Sequence, residues 1–157
     1  MPVASKIKTW LEQQKADCET LSHESTLSSA RTAASAHIPG RRLAKGVVLK
    51  RSDDTFLIIM LPADKKVHLG RLHRALDEDL CLATEEELPD LFPDCAFGAV
   101  PALGQAYGLP VLVDDSLFDQ PEVFVESGDH ETLLRFTNTQ FTMLLGSAER
   151  INAVTRV

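Results

Sequence analysis

Two β-rich runs joined by a short polar turn constrain this chain more than any other feature. The first run is Lys45–Lys50, the second is Thr55–Leu61, and residues 51–54, of sequence RSDD, lie between them. Runs rich in β-branched and aromatic residues on either side of such a turn predict a β-hairpin. The second run is apolar at nearly every position, so we predict that it is a central strand.

The segments around this hairpin alternate between helical and extended patterns. Helices are predicted at 5–11, 28–37, 69–76, 84–92 and 138–145. Besides the hairpin, strands are predicted at 18–23, 79–83, 111–113, 122–126 and 132–136. Ser5, Thr84 and Asn138 are the expected N-terminal capping residues of three of these helices. Ser28 or Ser29 is expected to cap the Ala-rich helix, which ends at residues 38–40. No repeat or linker divides these elements. We therefore predict one α+β domain over residues 1–157, with helices flanking a mixed, mostly antiparallel, curved sheet.

Composition and cysteine content are those of an ordinary globular protein of the cytoplasm. Of the 157 residues 44% are apolar, which is enough for one core. Cys18, Cys81 and Cys95 share no close spacing, so we expect neither a disulfide framework nor a zinc site. No apolar run approaches the length of a membrane span, and the first residues lack the apolar core of a signal peptide. We expect a reducing, cytoplasmic location, without metal, cofactor or membrane partner.

Charge is distributed unevenly along the chain. The net charge is −7, but residues 40–74 alone carry +6 and the remainder carries −13. A local basic surface on an acidic protein suits a partner with few phosphates, such as an RNA end, better than a long duplex, so DNA is not expected. From charge alone, a solvated face of mixed charges is the alternative.

Residues 97–110, of sequence FGAVPALGQAYGLP, contain three glycines and two prolines. Glycine allows close backbone approach and proline fixes φ, so such a loop can present peptide groups to a small polar ligand. An ordinary connection entering a strand at Pro110 is the alternative. No nucleophile elbow, phosphate-binding loop or zinc-protease motif occurs, so nucleophilic chemistry is not indicated.

Four features in this order resemble the YbaK/prolyl-tRNA-synthetase-associated domains, which are free-standing aminoacyl-tRNA deacylases. They are an Ala-rich helix ending at residues 38–40, a lysine near the start of the next strand, the exit LPAD at 61–64, and FGAVP at 97–101. The resemblance covers essentially the whole chain.

The resemblance implies roles for particular residues. Lys45 would hold the end of the tRNA, and the loop that begins at Gly98 would supply backbone groups around the aminoacyl ester. The remaining residues that it places at the substrate are Ala99, Val100, Pro101, Ala102 and His130. The family pattern has proline four positions after the glycine, whereas this chain has Ala102 there and proline one position earlier. The amino-acid preference is therefore left open.

The expected activity is trans-editing, in which a hydrolase removes a mischarged small amino acid from a tRNA. The expected partner is the aminoacylated acceptor end, and the involvement of a synthetase is left open. Water would be activated by the free ribose hydroxyl beside the ester, with His130 as the alternative base. A non-catalytic module that senses an aminoacyl or nucleotide ligand is the competing hypothesis. A purely structural domain would leave the basic segment and the shaped loop without a role.

Overall fold

A mixed sheet of eight strands forms the centre of the fold in the computed structural model, which describes residues 4–22, 32–33, 37–96 and 99–156. The strands are β1 Glu19–Ser22, β2 Leu43–Arg51, β3 Phe56–Pro62, β4 Lys65–Val67, β5 Leu80–Leu82, β6 Val111–Asp114, β7 Glu122–Glu126, β8 Thr132–Thr137, β9 Glu149–Ile151 and β10 Val154–Arg156. The helices are α1 Ser5–Gln13, α2 Leu69–Leu76, α3 Leu88–Leu91 and α4 Asn138–Leu145, with 3-10 turns at Gly40–Arg42, Gly104–Tyr107 and Asp115–Asp119.

The order of strands across the sheet is β1-β8-β7-β2-β3-β6-β9, and β5 also pairs with β2. Strands β4 and β10 form a separate two-stranded ribbon. The parallel pairs are β2 with β7, β3 with β6 and β6 with β9, and the other pairs are antiparallel. The predicted α+β fold on a mixed, mostly antiparallel sheet is thus confirmed.

Strand β3 is the central strand that its apolar sequence predicts. It lies between β2 and β6, and its side chains alternate between two cores because successive residues of a strand point to opposite faces. Ile58 and Met60 lie in the larger core, whereas Leu57, Ile59 and Leu61 lie in the smaller one. Burying each of these side chains contributes about 1.5–3 kcal/mol, so β3 joins both halves of the hydrophobic core.

Two of the three expected caps are wrong by one residue. Ala4 occupies the N-cap of α1 and makes no side-chain cap. The carboxylate of Asp94 accepts the free N–H of Lys6 at 2.9 Å and the hydroxyl of Ser5 at 3.4 Å. Thr137, not Asn138, caps α4, in a reciprocal capping box with Gln140.

The predicted helix after Thr84 begins later than expected. Thr84 does bind the Glu87 carboxylate, through its N–H at 3.0 Å and its hydroxyl at 3.1 Å. Residues 85–87 nevertheless form only a turn, and α3 starts at Leu88 with Pro89 in its first turn, a position that proline favours.

The Ala-rich helix was predicted to run through His37, but His37 itself is already in a turn. Thr32 and Ala33 are helical, Ile38 donates its N–H to the carbonyl of Ala33 at 2.8 Å, and His37 has a left-handed φ of 57°. The remainder of that predicted helix, with its serine caps, lies outside the described residues. Within the described chain, no helix has the length and hydrophobicity needed to cross a bilayer.

Candidate functional site

One edge of β2 has a gap where the sheet does not continue. Strand β7 pairs with Leu43 and Ala44 along this edge, and β5 pairs with Leu49, Lys50 and Arg51. The N–H of Ala83, directly after β5, donates to the carbonyl of Val48 at 3.0 Å, so residues 45–47 lie between these two partners, while β3 covers the opposite edge throughout. Within the described structure, Lys45 and Gly46 therefore lie at an open edge of an otherwise central strand.

Lys45 occupies this gap as a half-buried cation. Its Nζ donates to the carbonyl of Ala63 at 3.4 Å, and no described carboxylate comes within ion-pair distance of it. Burial lowers the pKa of the Lys45 ammonium, and the more distant charges of Asp64 and Glu126 only partly offset this. A partly desolvated ammonium without a direct counter-ion is suited to binding an anion from outside the protein.

The predicted substrate loop is anchored to the sheet on both sides of Gly98. On the N-terminal side, Ala96 donates its N–H to the carbonyl of Gly128 at 2.7 Å. On the C-terminal side, the loop lies against β2, because a Cβ added to Gly46 would be 3.0 Å from the Cα of Ala102 and 3.1 Å from the carbonyl oxygen of Pro101. Gly98 and its neighbour Phe97 lie outside the described residues, between these two anchors.

The residues that the sequence assigns to the loop have unequal exposure. Ala99, Pro101 and Ala102 are buried, and Val100 is half-buried with its Cγ1 only 3.3 Å from the position of a Gly46 Cβ. Gly46 and Lys45 face opposite sides of β2 because side chains alternate along a strand. A ligand that touches both the ammonium and the loop would therefore lie along the open edge.

His130 lies in a turn held by a buried carboxylate. Asp129 accepts hydrogen bonds from the N–H of Glu131 at 2.9 Å and from the N–H and hydroxyl of Thr132, both at 2.7 Å. His130 has a φ of 62°, in the left-handed region. The same turn contains Gly128, whose carbonyl accepts the Ala96 N–H. His130 therefore follows, two positions later, the residue that anchors the loop.

Comparison with known protein families identifies the family of the chain. The profile of the aminoacyl-tRNA editing domain matches residues 23–144. The chain belongs to the aminoacyl-tRNA editing domain family. The matched range contains Lys45, the whole loop and His130, and the resemblance to the YbaK-type domains is thereby confirmed.

Solved structures share the fold of this editing domain. A protein described as a candidate trans-editing enzyme for prolyl-tRNA synthetase is 24% identical, with a TM-score of 0.82, over 99% of this chain and 98% of its own. A protein described only as hypothetical is 18% identical, with a TM-score of 0.83, over 96% of this chain and 100% of its own. A candidate signal transduction protein from Marinobacter aquaeolei is 19% identical, with a TM-score of 0.75, over 99% of this chain and 31% of its own. No curated protein matches the chain.

A cluster that sequence reasoning missed links α1, the residues just before the loop of the editing domain and the loop itself. The hydroxyl of Tyr107 donates to Asp94 at 2.6 Å and lies 3.2 Å from the Sγ of Cys95. Burial raises the pKa of the Cys95 thiol to about 11, which disfavours the thiolate that a nucleophile requires. Burial also opposes ionisation of Asp94, but hydrogen bonds from Tyr107 and from the Lys6 N–H lower the pKa of that carboxyl. The cluster therefore fixes α1 against the loop and offers no reactive group.

The basic segment 40–74 is only partly available to a ligand. Three of its cations are in ion pairs: Arg42 with Glu122 at 3.3 Å, Lys50 with Glu87 at 2.9 Å and Arg51 with Glu78 at 3.4 Å. Arg41, Lys66, Arg71 and Arg74 are exposed and have no ion-pair partner among the described residues. Among those residues there is also no group of three His, Cys, Asp or Glu side chains that could hold a metal ion.

Proposed function

We propose that this editing domain hydrolyses the ester joining a mischarged small amino acid to the 3′ end of a tRNA, acting in trans and in the cytoplasm. Membership of the editing family supports the substrate class. The observation that carries the proposal is Lys45, a half-buried ammonium without a described carboxylate partner at an open strand edge beside the anchored loop.

Lys45 has the properties required to hold the terminal phosphate of the tRNA. A lysine ammonium is a compact point charge with three donors, and here one donor is used by the carbonyl of Ala63. The others are free to bind phosphate oxygens. The pairing gap in β2 leaves room beside the strand for the terminal nucleotide.

The Gly98 loop has the task of stabilising the oxyanion that develops when water attacks the ester. An ester is already activated relative to an amide, so oriented peptide N–H groups can supply much of the remaining stabilisation. The anchors at Ala96 and Gly46 would hold such groups in fixed positions. A side chain at position 98 would obstruct the ester, so we expect Gly98→Val to abolish turnover.

Water activation is assigned to the substrate itself. A protonated Lys45 cannot accept a proton, and no side chain of the loop can take a proton from water at neutral pH, since the Tyr107 hydroxyl is a donor to Asp94. The ribose hydroxyl next to the ester can orient the water, while the protein supplies position and electrostatic stabilisation. His130 is the alternative base.

A small cavity beside the loop favours the proposal that the amino acid on the tRNA is small. It has a volume of about 160 Å³ and is lined mainly by apolar side chains, including Leu88, Phe92, Cys95, Ala96 and Ala99. A cavity with this lining would favour alanine-sized over large polar side chains.

A binding module on the same fold is the second candidate. The observation that favours it is the candidate signal transduction protein, in which a domain of this fold makes up 31% of the chain. Such a module would use Lys45 and the loop to bind an aminoacyl or nucleotide ligand without hydrolysis.

Deacylation of a panel of mischarged tRNAs separates these two candidates. The panel starts from tRNA for proline, because one structural neighbour is described as a trans-editing enzyme candidate for prolyl-tRNA synthetase, and is tested with and without that synthetase. We expect alanyl and seryl esters to be hydrolysed and leucyl esters to be spared. Chelator should leave the rate unchanged, and a Cys18/Cys81/Cys95→Ser variant, confirmed as folded, should still hydrolyse the ester, because no thiol acts as the nucleophile. Tight binding without any turnover across the panel would support the module instead.

A further inference from the structure

We propose that a second surface of the protein binds the phosphates of the tRNA acceptor duplex. This surface, the basic ribbon surface, consists of Lys66, Arg71 and Arg74, with Arg41 beside it. The inference rests on the proposed function, because it assumes that an aminoacylated tRNA is the substrate. It adds that the protein also binds the duplex next to the aminoacylated end.

The basic ribbon surface begins next to Lys45. The Lys45 ammonium binds the carbonyl of Ala63, and β4 starts two residues further along the chain, at Lys65. On the other side of this turn, Gly40 accepts the N–H of Ala63 at 3.1 Å, which brings the exposed Arg41 alongside. A nucleic acid whose terminal phosphate contacts Lys45 would therefore have cations available along its continuing backbone.

Strand pairing, a main-chain hydrogen bond and one arginine side chain hold the ribbon and α2 together as one unit. Lys66 pairs with Thr155 in the β4–β10 ribbon, and the N–H of His68 donates to the carbonyl of Ala153 at 2.7 Å. The guanidinium of Arg71 donates to the carbonyl of Val154 at 3.3 Å. Arg74 lies one helical turn after Arg71, on the same exposed side, because residues three apart share a helix face.

The charges of this surface differ from those at the far end of β2. Lys66, Arg71 and Arg74 have no ion-pair partner among the described residues, whereas Lys50 and Arg51 are neutralised by Glu87 and Glu78. The acids nearest to the surface along the chain are Asp64, Asp77, Glu78 and Asp79, of which Glu78 is paired with Arg51. Asp114 is buried, and its pKa responds to the charge of Lys65. The exposed side retains a positive excess.

The chemistry of the surface favours a duplex over a single strand. Residues 63–79 contain no Phe, Tyr or Trp. Their two histidines are engaged within the fold, since His68 accepts the Arg71 N–H and His73 is hydrogen-bonded to the backbone of Leu80. The segment therefore lacks a large aromatic platform for unpaired bases. Cations on a rigid ribbon and helix can contact the phosphates of an A-form duplex, which proteins recognise mainly through its shape and backbone. The acceptor duplex follows directly after the unpaired end of a tRNA.

The test compares two substrates and two matched variants. The substrates are a mischarged tRNA and a trinucleotide CCA carrying the same amino acid, which lacks the duplex. The test variant is Lys66→Ala/Arg74→Ala, since neither side chain makes a described hydrogen bond or ion pair. The control variant is Lys8→Ala/Lys15→Ala, which removes the same charge from exposed positions on and just after α1. Thermal melting shows that both variants are folded.

We expect the test variant to raise KM for the tRNA on the order of ten- to a hundredfold at moderate salt, with kcat unchanged. The slope of log KM against log salt concentration should fall by about two, because two phosphate contacts are lost. Hydrolysis of the trinucleotide should be unaffected, and the control variant should behave like the unmodified protein on both substrates. An unchanged KM for tRNA in the test variant overturns the inference. So does a loss seen only when a synthetase is present, because the surface would then bind an acidic protein. If the unmodified protein hydrolyses neither substrate, the proposed function fails instead.

Discussion

Lys45 and Lys50 lie on the same strand, five positions apart, but their surroundings are opposite. Lys50 is in ion pairs with Glu87 at 2.9 Å and Asp54 at 3.7 Å. Its pKa is raised, first by the hydrogen bond with Glu87. Lys45 binds only a carbonyl among the described residues, and burial lowers its pKa.

This difference fits a structural role for Lys50 and the ligand-binding role that we propose for Lys45. The carboxylates that neutralise Lys50 come from the β2–β3 turn and from the segment before α3, so this ammonium joins two parts of the chain. At Lys45 the ammonium is half-buried without a described carboxylate partner, and under our proposal a phosphate of the substrate supplies the compensating charge. Sequence alone does not distinguish the two, because both are lysines on a β-rich run.

The largest expected effect is the difference in activity between the Lys45→Ala and Lys50→Ala variants. Lys45→Ala should lower kcat/KM for mischarged tRNA by about a hundredfold or more, because a desolvated charge contact is worth about 2–5 kcal/mol. Its Tm should change little. Lys50→Ala should keep full activity and slightly lower the Tm. Steady-state deacylation and thermal melting test both, and equal activity of the two variants would remove Lys45 from the site.

The mechanism assigned to Lys45 can be sharpened with a modified substrate. If the lysine only holds the phosphate, the water must be activated elsewhere. We expect a mischarged tRNA ending in deoxyadenosine to bind normally but to be hydrolysed about a hundredfold more slowly, and His130→Ala to retain substantial activity. Single-turnover rates measure the chemical step directly. Normal turnover of the deoxy substrate together with an inactive His130→Ala would make His130 the base.

The packing of the loop beside Lys45 can be tested at Gly46. A Cβ there would contact the backbone of Pro101 and Ala102 at 3.0–3.1 Å, so the loop must shift. Gly46→Ala should cost about 1–3 kcal/mol of stability and lower activity roughly tenfold. Gly70→Ala is the control, because its Cβ would meet only the side chain of His68, which caps α2, and no backbone of another segment. If both glycine variants have normal activity, the loop position is not critical for catalysis.

The smallest expected effect is a difference in pH dependence. The pKa of Lys45 is lowered, so the folded protein releases this proton before the unfolded chain does, and the contribution of Lys45 to stability rises with pH below 10.5. The raised pKa of Lys50 gives the opposite sign, a contribution lost only above 10.5. We therefore expect affinity for uncharged tRNA to fall with rising pH before the ordinary lysine pKa of 10.5 is reached. Lys45→Arg, which stays charged, should remove this fall, and an unchanged profile in that variant would contradict the assignment.

Local features of the fold could be predicted from sequence, and features that join distant segments could not. The β2–β3 hairpin is local and was confirmed. Asp94 accepts the Lys6 N–H across 88 positions, so Ser5 was wrongly expected to cap α1. Thr137 and Asn138 are both good capping residues, and Asn138 instead donates to the carbonyls of Phe118 and Gln120, each at 2.8 Å. The short polar strands β4, β9 and β10 have no pattern of their own and depend on their partners.

The candidate site divides in the same way. Lys45, the Gly98 loop and His130 came from a family resemblance, and their roles stay predictions. The gap in the pairing of β2 was not predictable, since it arises where strands from two other parts of the chain, β5 and β7, both stop. Gly46 was missed because a glycine in a strand shows its role only when the loop that packs on it is known.

The interleaved sheet has a consequence for how the chain matures during synthesis. The β2–β7 edge is bridged by a bond between Arg42 and Glu122 across 80 positions, β1 pairs with β8, and β4 pairs with β10. Folds dominated by such non-local contacts form slowly, because distant segments must meet before any of them is stable. On a ribosome, β2 would emerge long before β7, with an apolar β3 exposed beside it. We expect the nascent protein to depend on chaperones until its last strands are released.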